Sequence, residues 1–194
     1  KDHEKNYVNI KVVSPNLELK YNQSSKEIEK ILKKLINYSA PNKDKKTIFI
    51  WPEGVFAGRN IDDLKNFNKF FKTNFSKNHL IIFGVNSKDK NNEVYNSLVV
   101  VNHKFEILYK YNKIKLVPFG EFLPFEKLLS KVGVKKITEG YGSFLKGKDQ
   151  NIFVQDDLNI LPLICYEIIF PNLIQKAEKE VNLIVNISED AWFG

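Results

Sequence analysis

The chain has no methionine, one cysteine and one arginine, and each scarcity narrows what it is. Without methionine there is no initiator residue, so we expect a piece of a longer polypeptide, with neighbours missing at one or both ends. A lone Cys165 excludes an internal disulfide and a cysteine-rich metal site. The histidines, His3, His79 and His103, form no metal-spaced pair, so neither metal nor cofactor is expected. Of 30 basic residues, only Arg59 is arginine. A phosphate-reading surface favours the arginine fork. The net charge of +7 therefore reads first as a lysine-rich solvated exterior. Attraction to an anionic membrane surface comes second, and no nucleic-acid partner is expected. No apolar run reaches the ~18 residues that suggest a membrane span, and no signal peptide is visible.

What is present fits one globular domain. The chain has 194 residues, 43% hydrophobic and 27% charged, enough for a full core. Short β-branched runs alternate with amphipathic ones. Strands are predicted at 8–13, 47–51, 80–85, 152–154, 160–165 and 182–188, with a hairpin of 97–101 and 105–109 around Asn102, His103 and Lys104. Helices are predicted at 24–38, with Ser24 or Ser25 as N-cap, at 61–75, with Leu64, Phe67, Phe70 and Phe71 inward, and at 171–179 behind Pro171. Residues 110–147 are rich in Gly, Pro and aromatics, with a short helix at 124–131; an irregular stretch that long is usually functional. The alternation implies an α/β layered fold with strands covered on both faces.

Three places put reactive residues where buried strands give out: Glu53 after Trp51-Pro52, Cys165 after Leu163-Ile164, and Glu189-Asp190 after Ile187-Ser188. Ligands of α/β sheets bind at the carboxyl ends of strands. A lone cysteine is most often a small buried hydrophobe. Against that, Tyr166 and Glu167 place polar groups directly behind this thiol, and a strand-to-turn position rich in backbone N–H groups would lower its pKa and hold an oxyanion. A cysteine nucleophile needs a base, and no histidine sits in a promising context. Glu53 is a candidate, because desolvation at a strand end would raise its pKa; it also fits an ordinary helix-entry residue. Lys113 and Lys115 flank apolar residues ahead of Pro118-Phe119-Gly120-Glu121. A semi-buried lysine there suits a tetrahedral oxyanion; a surface pair is the plainer reading.

In order, Trp51-Pro52-Glu53, Tyr111-Asn112-Lys113 and Cys165-Tyr166-Glu167 resemble the carbon–nitrogen hydrolase (nitrilase) superfamily over nearly the whole chain. The segments 116–124, 164–167 and 190–194 are similar to its apolipoprotein N-acyltransferase branch. The resemblance implies a nitrilase-like four-layer αββα sandwich, incomplete at its C-terminus, in a single domain over 1–194. It implies Glu53 as general base, Lys113 as oxyanion stabiliser and Cys165 as nucleophile, supported by Glu121, Glu167 and Tyr166. Phe119, Phe122, Phe125 and Trp192 would line the substrate site or cover it against water.

The implied reaction moves an acyl chain from a phospholipid, through a thioester on Cys165, to the N-terminal amine of a diacylglyceryl lipoprotein. The implied place is the periplasmic side of a bacterial inner membrane, held by helices outside this chain. Lys115 stands where relatives often carry His, Tyr21 where they often carry Trp, and Glu189 where the branch usually has Asn. Two other readings remain: a soluble nitrilase-type amide hydrolase, and an inactive remnant of a split or decaying gene.

Overall fold

The computed structural model describes residues 8–16, 20–21, 23–122, 143–175 and 181–189. The helix predicted at 124–131, Phe125 and Trp192 lie outside them.

Strand β1 (Asn9–Val12) leads to helix α1 (Ser25–Ser39). The sequence dictates both ends of that helix. Ser24 Oγ accepts from the Glu27 amide, and the Glu27 carboxylate accepts from the Ser24 amide, a reciprocal cap. Ala40 closes the helix in the left-handed region at φ 39°. Ile28, Leu32, Leu35 and Ile36 form its buried stripe.

Strand β2 (Thr47–Ile50) follows, then a broken helical stretch, then β3 (His79–Lys88), β4 (Val94–Asn102) and β5 (Ile107–Asn112). These strands form one mixed sheet in the order β1-β2-β3-β4-β5, with β1, β2 and β3 parallel and the last two antiparallel. Strands β6 (Phe153–Gln155), β7 (Leu158–Ile164) and β8 (Leu183–Ile187) form a second sheet in which β7 and β8 are parallel.

The period-two alternation of the strands sorts their side chains into two cores. Phe49, Trp51, Ile81, Phe83, Val99 and Val101 pack with Leu32 and Leu35 of α1. Ile48, Ile82, Leu98, Val100 and Tyr111 face the second sheet and meet Ile160, Ile164, Val185 and Ile187. On the outer side of β7, Leu161 and Leu163 are buried, and Leu173 of helix α4 (Pro171–Gln175) is buried as well. The layer order is helix, sheet, sheet, helix, the expected αββα architecture. No described helix is long and apolar enough to cross a membrane.

Some elements differ from the sequence reading. The single helix at 61–75 is instead α2 (Ile61–Leu64), a 3-10 turn at Lys65–Phe67 and α3 (Asn68–Asn74). Asn66, inside that turn, and Asn68, directly after it, are weak helix formers. The changed phase buries Leu64 and Phe71 but leaves Phe67 and Phe70 only partly covered. The irregular stretch begins later than Lys110, because β5 runs on to Asn112. Strand β7 ends at Ile164, so Cys165 opens a 3-10 turn (Cys165–Ile169).

Candidate active site

Four strand ends converge on one place. Glu53 sits just past β2, Lys113 just past β5, Cys165 just past β7 and Ser188 just past β8. Each approach is fixed locally. Trp51 is fully buried, and its indole N–H donates to Ser39 Oγ at 3.0 Å, which ties the end of β2 to the last turn of α1. Pro52 then stops the strand. The Glu53 amide donates to the Ser188 carbonyl at 3.4 Å and joins the two sheets at their ends. Gly84 of β3 lies against the Glu53 backbone so closely that a Cβ there would fall 2.3 Å from the Glu53 carbonyl oxygen. A glycine inside the apolar run 80–85 is the signal of such an approach.

Lys113 is held at both backbone groups. Its amide donates to the Asn96 carbonyl at 2.9 Å, and its carbonyl accepts from the Gly147 amide at 2.8 Å. Its side chain is 1% exposed. Lys113 Nζ lies 3.0 Å from Glu121 Oε1 and 3.6 Å from Glu53 Oε1. Asn96 bridges the same two carboxylates, its Nδ2 donating to Glu53 Oε1 and Glu121 Oε1 at 2.7 Å each. The second Glu121 oxygen accepts from the Val117 amide at 2.9 Å. One buried lysine, one buried amide and two half-buried carboxylates thus form a connected network.

The electrostatics follow from that burial. Desolvation raises the Glu53 pKa above its ordinary 4.5, opposed by the charge of Lys113 and the Asn96 hydrogen bond and assisted by Glu121. Burial pulls the Lys113 pKa down, but the facing Glu53 and Glu121 carboxylates outweigh it and the ammonium form is favoured. Cys165 has φ 56°, in the left-handed region, a strained position for a residue with a side chain. Its thiol pKa is raised, first by burial and then by the Glu53 charge, against Lys113, a hydrogen bond with Ser188 and another with the Tyr166 amide. This corrects the expectation of a lowered thiol pKa. The N–H groups of the turn are present, but burial of the sulfur outweighs them, and the Glu53 charge adds to it.

The remaining predicted residues separate by environment. Glu167 is fully buried. It accepts from Tyr111 Oη at 2.9 Å, from the Ile114 and Lys115 amides at 2.8 and 2.9 Å, and from the Ile164 amide at 2.9 Å. It therefore clamps the β5 exit to the β7 exit, one residue from Lys113 and one from Cys165. Tyr166 Oη donates to the Leu116 carbonyl at 2.6 Å, and Lys113 Nζ lies 5.6 Å from the Tyr166 ring centroid. Phe122 lines a cavity beside this cluster. Phe119 is 41% exposed, at φ 62° in a turn where its amide donates to the Phe122 carbonyl. Among the described residues, no group of three His, Cys, Asp or Glu side chains is arranged to hold a metal ion.

The sequence reading gave no role to Asn96, Gly84, Tyr111 or Ser188. Asn96 lies in an ordinary-looking strand, and only the fold puts it between two carboxylates. Glu189 does come near: its carboxylate lies where a side chain on Gly54 would go, 2.3 Å from that Cβ position.

Residues 21–194 match the carbon–nitrogen hydrolase family. The chain is 34% identical over 155 residues to a protein of Rhizobium leguminosarum bv. trifolii named apolipoprotein N-acyltransferase, covering 77% of this chain and 29% of that protein. A protein of the same name from Bradyrhizobium diazoefficiens is 32% identical over 204 residues, covering 95% of this chain and 37% of its own length. The chain thus spans about a third of the length of these curated relatives. Among solved structures, an amidase from Nesterenkonia superposes with a TM-score of 0.63 at 12% identity, covering 92% of this chain and 64% of the amidase. The glutamine-dependent NAD+ synthetase of Acinetobacter baumannii superposes at 0.57 with 22% identity, covering 84% of this chain and 30% of its own. At such identities these structures speak for the fold alone.

Proposed function

Since the chain belongs to the carbon–nitrogen hydrolase family, we propose that it is the acyl-transferring domain of an apolipoprotein N-acyltransferase. In this reading it acts at the periplasmic face of a bacterial inner membrane, with a phospholipid as acyl donor and the amine of a diacylglyceryl-cysteine lipoprotein as acceptor. The observation that carries the reading is the buried Lys113 shared by Glu53 and Glu121, with Cys165 under the influence of the same charges. The relatives' shared name supplies the acyl-transfer class.

Glu53 removes the Cys165 thiol proton as the sulfur attacks the ester carbonyl carbon. The carbon–sulfur bond forms and the carbonyl electron pair moves onto oxygen, where the Lys113 ammonium stabilises it. Collapse breaks the ester carbon–oxygen bond. The departing lysophospholipid oxygen takes the proton from Glu53, and a thioester remains. The acceptor amine then attacks the thioester. Glu53 receives the amine proton and returns it to sulfur as the carbon–sulfur bond breaks, which leaves an amide and a free thiol. The raised pKa of Glu53 makes it a stronger base than a free carboxylate, and the thiol waits protonated until substrate arrives.

The direct test offers the chain phosphatidylethanolamine together with a synthetic diacylglyceryl-cysteinyl peptide. N-acylated peptide is the expected product. Free fatty acid with the peptide untouched would replace the proposal with a hydrolase.

Two further outcomes are expected in this assay. Gly84→Ala pushes a Cβ into the Glu53 backbone, so kcat/KM should fall about 100-fold, the scale of an ångström's misplacement of a catalytic group. An unchanged kcat/KM would show that Glu53 need not be so placed. The second concerns pH. The base must be ionised, so the rate should fall as pH drops through a Glu53 pKa above 4.5. Glu121→Gln removes a like charge that raises that pKa, so the acid limb of the kcat/KM profile should move to lower pH. A limb that stays in place or moves upward would contradict this assignment of the base.

A further inference from the structure

Ser188 holds a place in the site that the reaction above leaves unused. Strands β7 and β8 run parallel, and their last paired residues are Ile164 and Ile187. The next residues, Cys165 and Ser188, therefore leave the sheet side by side, on strands about 4.8 Å apart. The Ser188 side chain forms a hydrogen bond with the Cys165 thiol. Its backbone carbonyl accepts from the Glu53 amide at 3.4 Å. One half-buried residue thus meets the nucleophile with its side chain and the base with its main chain. The two contacts serve different ends. The carbonyl ties the second sheet to the first, and it is present whatever side chain stands at 188. The hydroxyl reaches the reacting atom, and it both accepts and donates hydrogen bonds. A thiol donates to such a hydroxyl. A thiolate only accepts, so the hydroxyl must then turn its own O–H toward sulfur. That bond strengthens as the charge forms, because hydrogen bonds to ions are the strong ones. The Tyr166 amide is a second donor to the same sulfur.

We infer that Ser188 is a further catalytic residue, whose hydroxyl donates to the Cys165 sulfur each time that sulfur carries negative charge. The inference rests on the acyl-transfer reading above and deepens it at one atom. Sulfur is charged twice in that sequence. In the first half-reaction Glu53 takes the thiol proton, and the electron pair on sulfur forms the bond to the ester carbonyl carbon. In the second, the carbon–sulfur bond breaks and its pair returns to sulfur until Glu53 delivers the proton. The serine proton stays on oxygen throughout, so the proton count is unchanged and no co-reactant is needed. Between the two steps the thioester sulfur is neutral and a poor acceptor. The hydrogen bond therefore favours the charged states on either side of the thioester over the thioester itself.

Ser188→Ala removes the hydroxyl and keeps the carbonyl that holds the Glu53 amide. Because Cys165 is the chain's one cysteine, alkylation by iodoacetamide reads its thiolate alone. The midpoint of the alkylation rate against pH should move upward in Ser188→Ala, and Ser188→Thr, which restores a hydroxyl, should bring it back. A serine that only supports the structure predicts the reverse. Burial is the first cause of the raised thiol pKa, so a loosened site would expose the sulfur and move the midpoint down. With phospholipid vesicles and the diacylglyceryl-cysteinyl peptide, Ser188→Ala should slow both acyl-adduct formation and acyl transfer to the peptide by about tenfold or more, the scale of one hydrogen bond to a charged group. Ser188→Thr should recover most of both losses. A midpoint that stays or falls in Ser188→Ala, or rates equal to those of the unaltered chain, would overturn the inference while leaving Cys165 as the acyl carrier. No adduct from the unaltered chain would instead overturn the acyl-transfer reading, and this inference with it.

Discussion

Glu167→Ala should destabilise the fold by about 4 kcal/mol or more, taking roughly 1 kcal/mol for each of the donors it strands. Those donors are Tyr111 Oη and the amides of Ile114, Lys115 and Ile164. All gather on one carboxylate that is fully buried. No neighbour replaces it, because the donors come from two different strand exits and point at a common centre. With a typical domain stable by only ~5–15 kcal/mol, such a loss removes much of the margin. Glu167→Gln tests the cause. The amide keeps one acceptor oxygen but turns the other into a donor that faces donors, so it should recover only part of the loss. Urea unfolding checks both variants. A midpoint for Glu167→Ala within error of the unaltered chain would show that the clamp is not structural. The same clamp fixes the residues adjoining Lys113 and Cys165, so activity should fall with stability.

Lys113→Met should slow acyl-enzyme formation by about 10²–10³-fold, the usual loss when one oxyanion stabiliser is removed. A second effect should accompany it. Lys113 lowers the pKa of both Glu53 and Cys165. Without it, two carboxylates face each other across Asn96 with no cation between them. The Glu53 pKa then rises further, so the acid limb of the pH–rate profile should move upward, opposite to the shift expected for Glu121→Gln. The opposite signs separate a charge effect from a general loss of structure, which would move neither limb in a defined direction. A Lys113→Met chain with an unshifted limb would contradict the assignment of Glu53 as base. Thermal melting should accompany the kinetics, because removing one partner of a buried ion pair is itself destabilising.

The layered fold was legible because strand alternation and the α1 cap are local properties. Ser24 and Glu27 announce the helix start three residues apart, and the central strands are apolar along their length. The candidate site was partly legible. Glu53, Lys113 and Cys165 each follow a strand, and strand ends are where such sites form. What stayed hidden is long-range. Asn96 earns its position only because β4 brings it between Glu53 and Glu121, 43 and 25 residues away. Glu167 reads as one more polar residue until the second sheet packs on the first. The thiol pKa was expected to fall because the turn's N–H groups are visible in the sequence pattern. Burial raises it instead, and the Glu53 charge that adds to the rise arrives from the other sheet. The helix expected at 61–75 is broken for a local reason: apolar spacing fits a continuous helix, but Asn66 and Asn68 permit a 3-10 turn that changes the phase. Gly84 carried a readable signal in the middle of its strand, and its partner, the Glu53 backbone, was not readable.

The central claim is that Cys165 carries the acyl group. Its most direct test is intact-mass measurement of the chain after incubation with phospholipid vesicles. We expect a mass increase of one fatty acyl group, removed by neutral hydroxylamine as a thioester is and absent from Cys165→Ala. A well-folded chain that gains no mass, or gains it equally in Cys165→Ala, would contradict the account.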